Sequence, residues 1–109
     1  MADFDAQIKA SQDQVAAAQA KISAITGAID AARAKLDALN AIPSFDMERR
    51  APMLKEQLGS FGQSFVVSPV MWEYGKHIHL GDGVLINFDC IFLDGADIRI
   101  GDGTAVAPR

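Results

Sequence analysis

The chain has 109 residues and a formal net charge of −4, from 14 Asp and Glu against 10 Lys and Arg. This balance argues against a nucleic-acid-binding protein, because the sequence has no cluster of basic residues that could follow a phosphate backbone. No apolar run reaches membrane-spanning length, and the single cysteine, Cys90, excludes an internal disulfide. Asp3 and Asp5 stand where a secretory signal carries positive charge. The sequence therefore predicts a cytoplasmic protein without nucleic-acid or membrane partners.

Residues 1–41 follow a seven-residue apolar repeat, which predicts a long helix with a coiled-coil seam from about residue 3 to residue 39. One seam position, a, recurs every seven residues, and the other, d, comes three residues after each a, with Phe4 one heptad earlier. The a positions are Ile8, Val15, Ile22, Ile29 and Leu36, and the d positions are Ser11, Ala18, Ile25, Ala32 and Leu39.

The small residues at several d positions leave two interpretations of this helix open. It is either an amphipathic helix that lies on its own domain or is partly frayed, or a stalk that associates with other copies of itself. The a and d residues do not decide between two and three strands.

Residues 42–59 are predicted to form a connecting helix after the break at Pro43. Ser44 is a suitable N-cap, and Gly59 is well placed to end the helix after Leu58. Pro52 removes a backbone hydrogen bond and is expected to kink this helix or to reset its start. Its apolar face consists of Met53, Leu54 and Leu58.

Residues 60–109 contain a near-repeat twenty residues apart, at 78–86 and 98–106, which is typical of a solenoid. Apolar and polar residues alternate within each copy, as in a strand. Steps of six link Leu80 to three further apolar residues, Ile86, Phe92 and Ile98. This rhythm predicts a left-handed parallel β-helix with about two residues bulging out near Asp94. The fold class is therefore α+β: a long helix, a short helix and an incomplete β-helix of about two coils.

Several conspicuous residues in this half have plain structural interpretations. His77 and His79 share one strand face and are expected to face solvent, because two ligands alone make a poor metal site. The Gly-Asp-Gly triplets lack the ending of a phosphate-binding loop and are expected to be turns. Cys90 is expected to fill a small inward corner of a coil. The sequence predicts no metal site.

The motifs between residues 46 and 109 resemble the maltose and galactoside O-acetyltransferases, a family of hexapeptide-repeat acyltransferases. The resemblance rests on the run Tyr-Gly-Lys-His-Ile-His-Leu-Gly-Asp-Gly at 74–83 and on the segment Asn-Phe-Asp-Cys-Ile-Phe-Leu-Asp at 87–94. The Glu-Arg-Arg at 48–50 through Leu-Gly at 58–59 resembles the family's helix before its first coil. Residues 1–30 do not resemble the family's usual N-terminal segment.

The resemblance implies a homotrimer that transfers acetyl from acetyl-CoA to a sugar or similar hydroxyl. It places Asn87, Asp94 and Glu73 in the acceptor-binding region. Each has a plainer alternative: a tight corner for Asn87, a turn for Asp94 and a solvated carboxylate for Glu73. The family's catalytic histidine segment would follow Arg109, so no catalytic residue is assigned. The chain is expected to be truncated before that segment, to lack the acetyl-CoA site and to be inactive alone.

Two further hypotheses about the role of the chain stay open at this point. The first is a non-catalytic assembly module, with a coiled-coil stalk joined to a β-helix stub. The second is a truncated gene product with no selected role, which would be of marginal stability because repeat stacks need about three units and a capped end.

Overall fold

The structure, a computed structural model, describes residues 2–109 and begins with a 39-residue helix, α1, over Ala2–Asn40. This confirms the long helix predicted from the seven-residue repeat. Every residue from 3 to 28 is exposed, whereas Leu36 and Leu39 are buried against the rest of the chain. The molecule is consequently elongated, with principal extents of 68 × 26 × 23 Å. No helix among residues 2–109 has both the length and the apolar character needed to cross a membrane.

The second helix, α2, covers Met47–Gln57 and begins later than expected. Its N-cap is Asp46, whose side chain accepts a hydrogen bond from the backbone N–H of Arg49. Ser44, the predicted cap, is instead used in tertiary structure, because its hydroxyl accepts from the backbone N–H of Ser68 at 2.9 Å. Pro52 lies inside the helix. The predicted apolar face is confirmed: Leu54 and Leu58 are buried and Met53 packs against the core.

Gly59 follows α2 but does more than end it. Its N–H donates to the carbonyl of Ile78. A Cβ built on Gly59 would collide with the backbone carbonyl of Lys76 and with the ring of His79. Glycine is therefore needed here because the first strand lies close against the coil above it.

Residues 60–109 form eight short parallel strands in three sheets, which are the three sides of a coiled tube. The strands are β1 Ser60–Phe61, β2 Phe65–Val66, β3 Val70–Trp72, β4 Ile78–Leu80, β5 Leu85–Ile86, β6 Cys90–Phe92, β7 Ile98–Ile100 and β8 Ala105–Val106. Sheet A has the order β1-β4-β7, sheet B β2-β5-β8 and sheet C β3-β6.

The register confirms the repeat seen in the sequence. Ile78 pairs with Ile98, and Ile86 pairs with Val106, each twenty residues further on. Of the residues at the predicted steps of six, Leu80 and Ile86 are buried inside the tube and Phe92 packs against this core. The bulge predicted near Asp94 falls in the connection between β6 and β7, residues 93–97, where Asp94 itself is buried.

A column of glycines and aspartates joins successive coils at one corner. Gly62 and Gly81 lie below Asp82 and Asp102, and a Cβ on either glycine would collide with the carboxylate above it. Each carboxylate accepts a backbone N–H from the coil below: Asp82 from Gln63 at 2.7 Å, and Asp102 from Asp82 at 2.8 Å. The Gly-Asp-Gly triplets are therefore turns, as predicted, and they also carry hydrogen bonds between coils.

Arg50 of α2 joins both helices to the tube, although its side chain is charged and fully buried. Its Nη1 lies within hydrogen-bond distance of three acceptors, the carbonyls of Leu39 and Ile42 at 3.0 and 2.9 Å and the hydroxyl of Ser68 at 2.9 Å, which share its two N–H groups. Its Nη2 donates to the carbonyl of Val66 at 2.8 Å. Burial lowers the pKa of the guanidinium from its ordinary value, but that value is so high that the group stays charged at neutral pH.

Candidate functional site

Asp94, one of the three predicted acceptor-binding residues, is fully buried at the corner after β6. Its Oδ1 accepts the backbone N–H groups of Glu73 and Tyr74 at 3.1 and 2.9 Å, and its Oδ2 accepts that of His77 at 3.3 Å. A buried carboxylate must be paired in this way, because an unpaired charge is costly away from water. The Asp94 side chain therefore shapes the loop 73–77 of the coil below, whatever else it contacts.

Glu73 lies on that same loop and is half-buried. Its backbone N–H is held by Asp94, so the position of Glu73 depends directly on that buried carboxylate. Its own carboxylate forms no ion pair with residues 2–109. Glu73 is thus a half-exposed acceptor of hydrogen bonds on a loop whose backbone is fixed by Asp94 of the next coil.

Asn87, the third predicted residue, lies at a different corner, directly after β5. Its backbone N–H donates to the carbonyl of Val106 at 3.0 Å, which fixes it between two coils. Its Oδ1 accepts from the N–H of Phe88 at 2.9 Å. The side chain is half-buried, and the Nδ2 group is a donor. Asn87 thus combines the tight-corner role with a polar group suited to a ligand hydroxyl.

The structure brings Glu73 and Asp94 together but does not bring Asn87 to them. Glu73 and Asp94 lie where sheet C turns into sheet A, and Asn87 lies where sheet B turns into sheet C, with β6 between them. One chain therefore presents the three predicted residues as two separate groups at opposite ends of one sheet.

The two histidines are not simply solvent-facing, which corrects the expectation from the sequence. His77 is half-buried, and its Nδ1 lies 2.6 Å from the carbonyl of Asp94. His79 lies with its Nδ1 3.0 Å from the hydroxyl of Ser60 and its Nε2 3.7 Å from the carboxylate of Asp97. Each ring therefore bridges neighbouring coils of sheet A. Among residues 2–109, no group of three or more His, Cys, Asp or Glu side chains is arranged to hold a metal ion.

Cys90 is buried at the start of β6, as predicted, and its Sγ donates to the carbonyl of Ala107 at 3.4 Å. The sequence interpretation missed two polar residues that hold the tube to the helices. One is Arg50, and the other is Asn40, whose Nδ2 donates to the carbonyl of Val70 at 2.8 Å. Its Oδ1 accepts from Ser68 and from the N–H of Val70. Arg50 shares a helix face with Leu54 and Leu58, and that spacing was the available signal.

Comparison with known proteins yields relatives for part of the chain, although no family model matches it. Nodulation protein L of Rhizobium leguminosarum bv. viciae is 44% identical over 62 residues, which are 56% of this chain and 33% of that protein. The chain spans about a third of the length of the curated relatives it matches.

Solved structures extend the similarity to the fold. A maltose O-acetyltransferase from Clostridium difficile 630 is 32% identical with a TM-score of 0.73, over 77% of this chain and 46% of the other. A hexapeptide-repeat-containing acetyltransferase from Vibrio cholerae O1 biovar eltor, in complex with acetyl coenzyme A, is 36% identical with a TM-score of 0.62, over 73% and 45%. These findings confirm the predicted left-handed β-helix and the resemblance to the family, over part of its length.

Proposed function

We propose, from the premise that this chain belongs over its matched part to the hexapeptide-repeat acetyltransferases, that it forms the acceptor-side coils of an O-acetyltransferase. The donor would be acetyl-CoA, and the acceptor a hydroxyl group of a sugar or a similar small molecule. The observation that carries the proposal is the structural match at 32–36% identity to acetyltransferases, one of which is bound to acetyl coenzyme A.

The chemistry requires a hydroxyl oxygen to attack the thioester carbonyl, while the C–S bond breaks and the hydroxyl proton passes to a base. We assign the described residues to positioning the acceptor rather than to taking its proton. Asn87 offers an amide donor, and Glu73 offers a carboxylate that accepts from sugar hydroxyls. Asp94 holds the Glu73 backbone in place. The imidazoles of His77 and His79 are occupied by contacts between coils.

The separation of Asn87 from Glu73 supports self-association as part of this proposal. Since the two groups lie at opposite ends of sheet C, a single acceptor site using both would draw them from two copies of the chain. The outer face of sheet C is also apolar and exposed: Met71 and Ile91 pair in register there, and Leu93 follows. A homotrimer assembled through this face would cover these side chains.

Sugar binding tests the acceptor assignment directly. We expect maltose and a methyl galactoside, titrated at millimolar concentration, to shift NMR signals of residues near Asn87 and Glu73. Asn87→Ala should weaken binding about two- to tenfold, the value of one hydrogen bond, and Arg99→Ala, on the exposed face of β7, should leave it unchanged. Equal binding by the Asn87 variant, or no binding of either sugar, would refute the acceptor assignment.

Catalysis is tested separately, by release of free thiol from acetyl-CoA in the presence of the same sugars. We expect no release above the buffer rate from the 109-residue chain, because no base is assigned among its described residues. Turnover by this chain would refute the expectation that it transfers no acetyl group. The acceptor assignment would still be decided by the sugar-binding experiment.

A further inference from the structure

The exposed part of α1 carries an apolar stripe that none of the described residues, 2–109, covers. Its members are Phe4, Ile8, Val15, Ile22 and Ile25, which are between 42% and 63% exposed. They occupy the a and d positions of the same heptad frame whose last members, Leu36 and Leu39, are 3% and 0% exposed against the chain's own core. The same heptad repeat therefore has two parts. Its C-terminal a and d residues pack against the chain's own core, and its N-terminal ones contact no partner among residues 2–109.

The length of the uncovered segment makes this arrangement costly for a lone chain. Residues 3–28 are all exposed, a stretch of about 40 Å at about 1.5 Å per residue. Helices that lack tertiary contacts are only marginally stable in water, and Gly27 lowers the helix propensity further. A partner that covers the stripe would supply the missing tertiary contacts and would offset the low helix propensity of Gly27.

We propose that residues 4–25 of α1 form a parallel, in-register coiled coil with the same segment of other copies of this chain. This interface is separate from the tube and does not depend on acetyl transfer. The heptad repeat favours other copies of the same helix as the partner, because an identical helix has its a and d residues at the same spacing and over the same length.

The residues at the e and g positions, which flank the stripe, are compatible with pairing between identical helices. In a parallel pair, each g position faces the e position of the next heptad on the other chain. The facing pairs would be Gln7 with Gln12, Gln14 with Gln19, and Lys21 with Thr26. None of them joins two like charges. A strongly charged partner would find nothing complementary along these flanks.

The orientation follows from where the β-branched residues lie. The a positions of the uncovered segment, Ile8, Val15 and Ile22, are all β-branched, whereas the d positions include Ser11 and Ala18. β-Branched residues at a are a feature of parallel coiled coils, in which a layers and d layers stay distinct. An antiparallel arrangement would place Ile22 and Val15 opposite the small d residues instead.

Disulfide trapping in the full chain tests partner, register and orientation together. Ser11→Cys and Ala18→Cys each place a thiol at a d position. Matched variants, Asp13→Cys and Ala20→Cys, place it two residues further on, on the opposite side of the helix. Native Cys90 is buried, so the unmodified chain serves as the blank. Far-UV circular dichroism would confirm that each variant keeps its helix content.

We expect both d-position variants to form disulfide-linked chains under mild oxidation, at least about tenfold more than their matched variants, because a disulfide needs Cα atoms about 4.4–6.8 Å apart. Because the small residues at 11 and 18 bury little surface, association should be weak. The fraction of disulfide-linked chains should therefore fall when the protein is diluted before oxidation. Linking at neither position, or at only one of them, would show that the helices are not paired in parallel and in register, and would overturn the proposal. Equal linking by seam and matched variants would show random collision and overturn it as well.

Discussion

The two halves of this chain both repeat an apolar beat, but they bury it differently. In residues 60–109 the chain returns to the same place about every twenty residues, and the inward side chains Leu80, Ile86 and Val66 are almost completely buried inside one tube. In α1 the beat of seven places its side chains along one stripe, of which only the last heptad meets the tube. The comparison shows that a sequence repeat determines the local structure, helix or coil. Whether its apolar side chains are buried depends on whether successive repeats stack on each other within one chain.

The junction between the halves should be the most sensitive point, because the buried side chain of Arg50 contacts both α1 and the tube. Arg50→Met would leave the carbonyls of Ile42 and Val66 without their donor, and that of Leu39 with only the N–H of Ile42. Since buried acceptors without partners cost about 1–3 kcal/mol each, we expect unfolding to become easier by about 3–5 kcal/mol in urea titrations. Arg49→Met is the matched control, because that side chain is mostly exposed. Equal effects of the two variants would show that Arg50 does not join the halves.

Within the tube, the corner at Asp94 should be the next most sensitive. Asp94→Ala would leave the N–H groups of Glu73, Tyr74 and His77 unpaired. We expect a loss of about 2–4 kcal/mol in the free energy of unfolding, measured in urea. The matched variant Asp97→Ala removes a largely exposed carboxylate and should cost less than about 1 kcal/mol. A small effect at Asp94 would mean that its three backbone contacts do not determine the loop.

Two equivalent glycines test the contact between successive coils, because Gly81 lies against the next coil and Gly101 does not. Gly81→Ala would force a Cβ against the carboxylate of Asp102 and disturb its bond to the N–H of Asp82, so we expect a loss of about 1–2 kcal/mol. Gly101 occupies the equivalent place one coil later, where a Cβ meets nothing within 4 Å. Gly101→Ala should be neutral or stabilising by less than about 1 kcal/mol. Thermal unfolding of the two variants, followed by circular dichroism, measures the difference; a Gly101 variant that is as damaged as the Gly81 variant would contradict coil-on-coil contact.

The smallest effect is expected in α1, where local helix propensity dominates. A Cβ on Gly27 meets nothing within 4 Å, so Gly27→Ala should favour the helix by at most about 1 kcal/mol. The measurement is the ellipticity at 222 nm on heating, which should fall at a higher temperature in the variant. A lower helix content in the variant would indicate that Gly27 has a close packing partner in solution and would contradict the prediction.

Much of the fold could be predicted from the sequence because it follows from short periods. The seven-residue beat predicted α1 to within about one residue at each end, and the twenty-residue repeat predicted the pairing of Ile78 with Ile98. The start of α2 was wrong because Ser44 and Asp46 are both good caps, and only the distant N–H of Ser68 decides between them. No local pattern contains that information.

The candidate site was less predictable, for the same physical reason. Arg50 looks like a solvated charge until carbonyls from α1 and β2 converge on it. Asp94 was placed in the acceptor region by resemblance, and its three backbone donors come from a loop about twenty residues earlier. The acceptor roles of Asn87 and Glu73, the trimer and the cytoplasmic location stay predictions.

Residue-resolved hydrogen exchange tests the contrast between the two halves most directly. In dilute solution we expect the N–H groups of Leu85 and Ile98, which donate to Thr104 and His77, to exchange at least about 100-fold more slowly than those of residues 8–22. Protection of residues 8–22 should then rise with protein concentration, while that of the coils stays constant. Slow exchange of residues 8–22 at the lowest concentration, or coil amides that exchange as fast as these, would contradict the account.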